Sequence, residues 1–247
     1  MSFKDHFSGH ADIYRQARPH YPAQLFAWLA RLAPANTQAW DCGCGNGQAT
    51  VALASHFRHV IGTDPSAAQI ANAAVHANVE YRVESGEQSS LQNASVDLVT
   101  VAQALHWLDL DRFYNEVRRV LKPHGVIAVW TYADCCVDSA IDAIKNRLYE
   151  DVLGEYWPPE RRLVEAGYAT LAFPFIEVET EKFDMLAKWD AQQFLAYLRS
   201  WSATQRYRKA IGTDPVALVE EELLAVWGDP LIKREVRWKL AMRVGRI

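Results

Sequence analysis

The segment Asp41-Cys42-Gly43-Cys44-Gly45-Asn46-Gly47 carries the clearest chemistry in the sequence. Alternate glycines let a backbone turn sharply and approach a ligand with no Cβ in the way. They follow a buried-type strand and open a helix, which is where open α/β sheets receive nucleotide-like molecules. The spacing is GxGxG, not the GxGxxG that sets a pyrophosphate on a helix N-terminus. Asp41 stands two residues before the first glycine, where an acid repels phosphate and suits an ammonium or sulfonium group. Asp64, twenty-one residues after Gly43, ends the next strand and is placed to accept hydrogen bonds from ribose hydroxyls. A ligand with a ribose, a positive centre and no phosphate fits these types and spacings.

Other side chains invite chemistry with less specificity. His106 follows the fourth strand, and an imidazole titrates near neutrality, so it is the candidate general base if one is used; the alternative is a loop-capping or orienting role. Trp107 and Trp201 are candidates to wall an acceptor pocket or merely to pack. Arg15, Arg18 and Arg199 can each clamp a carboxylate bidentately, or simply be solvated. His6 and His10 lie one helical turn apart but have no third ligand in sequence, and no CxxC pair occurs, so no metal is expected. Cys135 and Cys136 are adjacent, where a disulfide would be strained.

Elements with a regular rhythm must position these groups. The spacing predicts a helix over 22–32, a strand over 38–42, the glycine turn and a helix, a strand over 59–62 ending at Asp64, a helix over 65–77, and strands over 79–83 and 96–102. A helix over 111–121 stops at Lys122-Pro123-His124-Gly125 and hands over to a strand over 126–130. Strands with continuous hydrophobicity alternating with helices predict a doubly wound, mostly parallel α/β sheet. After Tyr132 the rhythm breaks. Helices are expected around 139–153, 191–197 and 215–227, with a strand near 175–183, and the last segment, 235–244, reads as a closing strand.

The chain has 247 residues, 50% apolar and 23% charged, with a net charge of −4. That excludes a disordered chain, and no apolar run approaches the roughly 18 residues of a membrane span. A broad nucleic-acid footprint is not expected, although Arg206-Tyr207-Arg208-Lys209 mixes charge with an aromatic. The start lacks the apolar core of a secretory signal, so a cytoplasmic location is expected. Nine tryptophans exceed what such a core obviously needs.

The motifs together resemble those of class I S-adenosylmethionine-dependent methyltransferases over roughly residues 38–132. Asp41 to Gly47 matches the first motif, Val60-Ile61-Gly62-Thr63-Asp64-Pro65-Ser66 the second strand, and Arg119-Val120-Leu121-Lys122-Pro123-His124-Gly125 the segment before the fifth. Tyr14-Arg15, Arg18-Pro19-His20-Tyr21-Pro22, Gln103-Ala104-Leu105-His106-Trp107 and Ser200-Trp201-Ser202 resemble a subgroup with trans-aconitate-type and other small-molecule methyltransferases. The resemblance implies a seven-stranded Rossmann-like sheet with an antiparallel closing strand and a helical cap. It implies S-adenosylmethionine as cofactor and S-adenosylhomocysteine as product. In that reading Gly43, Gly45 and Gly47 line the methionine and ribose, Asp64 holds the ribose, and Gln69 lies over the adenine. Ser85, Gly86 and Glu87 edge the base, Gln103 sits below the sulfur, and Tyr14 and Arg18 close over the amino-acid end. Ser85 replaces a common Asp, and Ser89-Ser90 a common Leu-Pro.

The expectation is one methyltransferase domain, with an N-terminal lid (1–21), a cofactor core (22–132), a helical cap with one strand (133–234) and a closing strand (235–247). It transfers methyl groups to a small metabolite, acidic if Arg15 or Arg199 contacts it, with Trp107 and Trp201 beside it and no nucleic-acid or membrane partner, as a monomer or homodimer. A nicotinamide-dependent oxidoreductase and a catalytically silent cofactor-binding regulator are the alternatives.

Overall fold

The computed structural model describes residues 19–247. Tyr14, Arg15, Arg18, His6 and His10 lie outside them. Helix α1 (Ala23–Leu32) starts after Pro22 and buries Leu25, Phe26, Trp28 and Leu29. Then follow β1 (Gln38–Cys42), α2 (Gln48–Ala54), β2 (His59–Asp64), α3 (Ala67–Ala71), β3 (Val79–Val83), β4 (Val96–Ala102), α4 (Leu110–Val120) and β5 (Leu121–Thr131). The second half adds β6 (Cys135–Cys136), α5 (Ser139–Arg147), α6 (Arg161–Glu165), β7 (Ile176–Glu177), β8 (Asp184–Trp189), α7 (Ala191–Arg199), α8 (Ser202–Ile211), α9 (Ala217–Trp227), β9 (Arg234–Lys239) and β10 (Ala241–Arg246).

Seven strands form one sheet in the order β3-β2-β1-β4-β5-β10-β7. β1 pairs in parallel with both β2 and β4, so the order reverses between β1 and β4, and β10 runs antiparallel to β5. Every residue from Val96 to Val101 is buried, Asp97 and Thr100 included, as expected of a strand covered on both faces. Asp97, fully buried at the head of β4, accepts from the amides of Thr37 and Gln38 at 2.9 Å and pairs with Lys122 at 2.8 Å, tying the amino ends of β1, β4 and β5 together. One face packs Trp40, Phe113, Val117 and Tyr168; the other packs α1 and α2 on Ala39, Val60, Trp130 and Val244.

Three segments differ from the sequence expectation. The helix over 65–77 is only Ala67–Ala71. Asn72 ends it by donating its side-chain amide to the Ala68 carbonyl, and Ala74 then donates its N–H to Asn46 of the glycine turn, so the chain is captured before another helical turn forms. The strand near 175–183 is the two-residue β7, and β8 begins just beyond it. The closing strand is two strands. Val236 and Trp238 of β9 are buried in a second, three-stranded antiparallel sheet (β6-β9-β8), and the chain passes Leu240 to enter the main sheet as β10. The cap is therefore helices plus this small sheet, built around Trp189, Tyr197, Leu223, Trp227 and Trp238. Helix α8, unforeseen in sequence, belongs to it.

Among the described residues no helix is long and apolar enough to cross a membrane, and no group of three His, Cys, Asp or Glu side chains is placed to hold a metal. All four cysteines are free.

Candidate active site

The glycine turn sits at the carboxyl edge of the sheet, at the reversal point between β1 and β4. Gly43, Gly45 and Gly47 all have positive φ (+67°, +54° and +86°), where a side chain is strained. Their surroundings differ. A Cβ on Gly43 would lie 2.6 Å from the Ala104 Cβ, and one on Gly47 would lie 2.0 Å from the Tyr81 hydroxyl. These two glycines let neighbouring strands close on the turn. At Gly45 a Cβ would meet, among the described residues, the Gln69 side chain at 3.9 Å and nothing nearer, so this position of the turn leaves the most room there.

Asp64 shapes that space. One oxygen accepts from the Gly45 amide and the other from the Ser66 amide, each at 2.9 Å, so the carboxylate ending β2 holds the turn and starts α3 together. Gln69, buried, follows one helical turn later, its amide accepted by the Ser66 side chain at 3.3 Å. Asp41 is 0% exposed, with its oxygens taken by the hydroxyls of Thr50 (2.6 Å) and Thr100 (2.8 Å). It supports the turn from beneath and does not line the space directly. Burial, with Asp64 nearby, pushes its carboxyl up to about 6. Burial likewise pushes the Cys42 and Cys44 thiols up, leaving them protonated packing groups.

The other expected cofactor residues come to the same edge. Ser85 bridges to Gln88, and Gly86 lies so close to Cys42 that a Cβ there would reach its sulfur at 2.5 Å. Glu87 accepts the Asp109 amide at 2.9 Å, joining this loop to the start of α4. The Ser89-Ser90 departure has a structural reason: Ser89 donates its amide and hydroxyl to Glu116 (2.7 and 2.6 Å), and Ser90 donates to Glu84. Gln103 has a positive φ of 58°. Its amide nitrogen donates to the Tyr132 carbonyl at 2.9 Å and its oxygen accepts from Thr131, which fixes the side chain at the mouth of the sheet.

His106 follows in a single turn of tight helix, with Nδ1 2.7 Å from the Tyr168 hydroxyl and its ring 4.6 Å from Trp107. Burial, then the positive charge of Arg161, lowers its pKa to about 4, below the near-neutral value expected from sequence. The imidazole is neutral at physiological pH. Trp107 is 37% exposed and borders His106, whereas Trp201 is 5% exposed.

Trp201 lines a cavity of about 40 Å3 with Gln103, Tyr132, Ala133, Trp157, Arg161, Tyr197 and Ser202. Its ring lies 5.6 Å from Trp157 and 5.8 Å from Tyr197. Arg199 does not join them. Its guanidinium is tied to Asp214 (2.7 Å) and Glu220 (2.5 Å), which brace α7 against α9 and remove it as a carboxylate clamp, a correction to the sequence reading. Arg161 is the arginine the cavity has instead, and sequence reasoning passed over it along with Trp157, Tyr168 and Tyr81. Their sequence signal is slight: an arginine two residues beyond Trp157-Pro158-Pro159, and single tyrosines without a motif.

Comparison with known proteins gives a consistent outcome. A family model described as a methyltransferase domain matches residues 40–129. A Dictyostelium discoideum protein provisionally described as a methyltransferase is 36% identical over 230 residues, 91% of this chain and 87% of that one. A Saccharomyces cerevisiae protein provisionally described as an S-adenosylmethionine-dependent methyltransferase is 35% identical, covering 76% of this chain and 77% of its own. A solved structure from Anaeromyxobacter dehalogenans, provisionally described as a type II methyltransferase, superposes with a TM-score of 0.88 at 47% identity, over 93% of this chain and 97% of that one.

Proposed function

The chain belongs to the class I S-adenosylmethionine-dependent methyltransferases, and from that premise we propose that it methylates an oxygen, nitrogen or carbon of a small acidic metabolite. The observation that carries the reading is the space over Gly45, bounded by Asp64 and Gln69 at the reversal point of the sheet. A ribose can be met there by the Asp64 carboxylate at the end of β2. We assign Gly43 and Gly47 to holding the turn, Gln69, Ser85, Gly86 and Glu87 to the adenine side, Gln103 to the sulfur side, and Tyr14 and Arg18 to the amino-acid end.

When bound, S-adenosylmethionine supplies an activated methyl group on a positive sulfur, transferred by in-line displacement with the electron pair leaving on sulfur. The chain's own work is alignment, an effect that can reach about 7–11 kcal/mol for well-placed reactants. Buried Asp41 adds negative charge beneath a site that receives a cation when that carboxyl is ionised. Trp201 walls the acceptor side, with the helices and small sheet of residues 133–239 as the substrate cap. His106 stands at the junction as a neutral group able to take a proton from an acceptor hydroxyl or amine. An acceptor that is already anionic needs no base.

Calorimetry with S-adenosylhomocysteine tests the reading. Asp64→Ala should weaken binding by roughly 1.5–3 kcal/mol, the range for bonds to a charged group. Unchanged affinity, or binding of NADH in place of S-adenosylhomocysteine, overturns it.

A further inference from the structure

We infer that the acceptor site is the aromatic chamber lined by Tyr132, Trp157, Tyr197 and Trp201, and that its ligand is a flat, conjugated molecule carrying one carboxylate, received by Arg161. The inference rests on the methyl-transfer reading, because Gln103, at the end of β4, lines the same chamber.

Arg161 is held as a receptor for an anion. Its Nε donates to the Tyr149 hydroxyl at 2.6 Å, and one Nη donates to the Ala133 carbonyl. The guanidinium lies over two rings, 4.7 Å from the centre of Trp157 and 5.3 Å from that of Tyr149. These two bonds and two ring faces set the plane of the guanidinium in the closed chamber. Only two of its five N–H groups are used in these bonds. Glu165, 43% exposed, pairs with Nε at 3.7 Å and also accepts from the Tyr149 hydroxyl. Arg199 shows the contrast, with carboxylates at 2.7 and 2.5 Å. A guanidinium whose ion-pair partner is long and solvent-exposed favours a shorter, planar pairing with a carboxylate brought in from outside.

The shape of the ligand follows from the walls. Tyr132, Trp157, Tyr197 and Trp201 are four of the eight lining residues, a composition that suits a flat π-system better than a branched aliphatic chain. Among the described lining residues Arg161 carries the one charge, so the chamber suits one carboxylate and not two. Trp157 and Arg161 also line an open outer groove of about 430 Å3, with Tyr149, Gly154, Pro158 and Pro159. The Trp157–Arg161 stack, common to both linings, is thus a partition between groove and chamber. The chamber's 40 Å3 has room for about three waters, so this stack must swing toward the groove to admit a larger acceptor.

The test is calorimetry on the full chain with S-adenosylhomocysteine present, using benzoate, benzyl alcohol, cyclohexanecarboxylate and terephthalate as probes. Benzoate should bind at least about tenfold more tightly than each of the others, the benzyl alcohol comparison reading out the charge-assisted bond. Arg161→Gln should erase the preference for benzoate over benzyl alcohol while S-adenosylhomocysteine affinity stays unchanged. If Arg161→Gln does not fold, the selectivity series on the wild-type chain decides. Equal binding of benzoate and benzyl alcohol, or full benzoate affinity in a folded Arg161→Gln, overturns the assignment of Arg161. Equal binding of benzoate and cyclohexanecarboxylate overturns the flat ligand, and terephthalate binding as tightly overturns the single carboxylate. Absence of S-adenosylhomocysteine binding would instead defeat the methyl-transfer reading, so the two failures are distinguishable.

Discussion

His106 and Arg199 show what a residue type alone conceals. The position of His106 after the fourth strand is readable from sequence, but its protonation state depends on its burial in the fold and then on the charge of Arg161 in the cap. With its pKa lowered to about 4, His106 should put no limb between pH 6 and 8 into the kcat/KM profile, its acid limb lying lower. Replacing Arg161 by Gln removes one of the two causes, so that limb should move up in pH; a pH–rate series on both proteins checks this. His106→Ala should slow turnover more than it weakens S-adenosylhomocysteine binding. Arg199 is as plausible a substrate clamp as Arg161 when only composition and helical position are known. The difference lies in Asp214 and Glu220, fifteen and twenty-one residues later, which α9 brings onto Arg199. Arg199→Ala should therefore lower cap stability by about 1–2 kcal/mol, since two partly buried carboxylates lose their partner, and leave the acceptor KM unchanged; thermal melts and kinetics separate the two effects.

At the scale of elements, strands were legible where apolar residues dominate a short run. The strands over 38–42 and 96–102 are buried and predominantly apolar, and 79–83, partly exposed, is readable from its alternation of Val79, Tyr81 and Val83 with Glu80 and Arg82. Legibility failed where a long-range partner overrides local propensity, as at residues 72–77, which the glycine turn captures, and at Leu240, where one alternating segment serves two sheets. The same distinction divides the glycines. In sequence they are three equivalent positions; in the fold Gly47 packs against Tyr81 and Gly45 faces space. Gly45→Ala should cost stability only the roughly 1–2 kcal/mol of a left-handed alanine while S-adenosylhomocysteine affinity falls sharply. Gly47→Ala adds a collision with Tyr81 and should cost more, about 2–4 kcal/mol. Tyr81→Val should recover the collision but not the backbone strain. Equal melting temperatures for the two alanine variants would contradict this division.

Across the whole molecule, two buried titratable groups act on stability in opposite directions over one pH range. Asp41 has its folded pKa raised to about 6 from 3.8. Its contribution is fully present below the unfolded value and is lost as pH rises through about 6, because burying the carboxylate costs more than the Thr50 and Thr100 bonds return. His106 has its folded pKa lowered to about 4 from 6.5. Its contribution is fully present above 6.5 and is lost as pH falls through about 4, because burying the imidazolium beside Arg161 is unfavourable. Each shift corresponds to about 3 kcal/mol, and between pH 4 and 6.5 the two largely cancel. Substitution should unmask each in turn. Asp41→Asn keeps a hydrogen-bonding side chain between the two threonines and leaves the His106 effect unopposed, so relative to the wild-type chain its stability should fall from pH 6.5 to 4.5. His106→Asn leaves Asp41 unopposed, so its relative stability should rise over the same interval. Urea unfolding at pH 4.5, 5.5 and 6.5 reads both slopes, and differences from the wild-type chain remove every other titrating group the three proteins share. Parallel curves for all three proteins would show that neither group is buried in its charged form at the cost assigned to it. Opposite slopes would place one group beneath the glycine turn and the other at the cap junction, as the fold does.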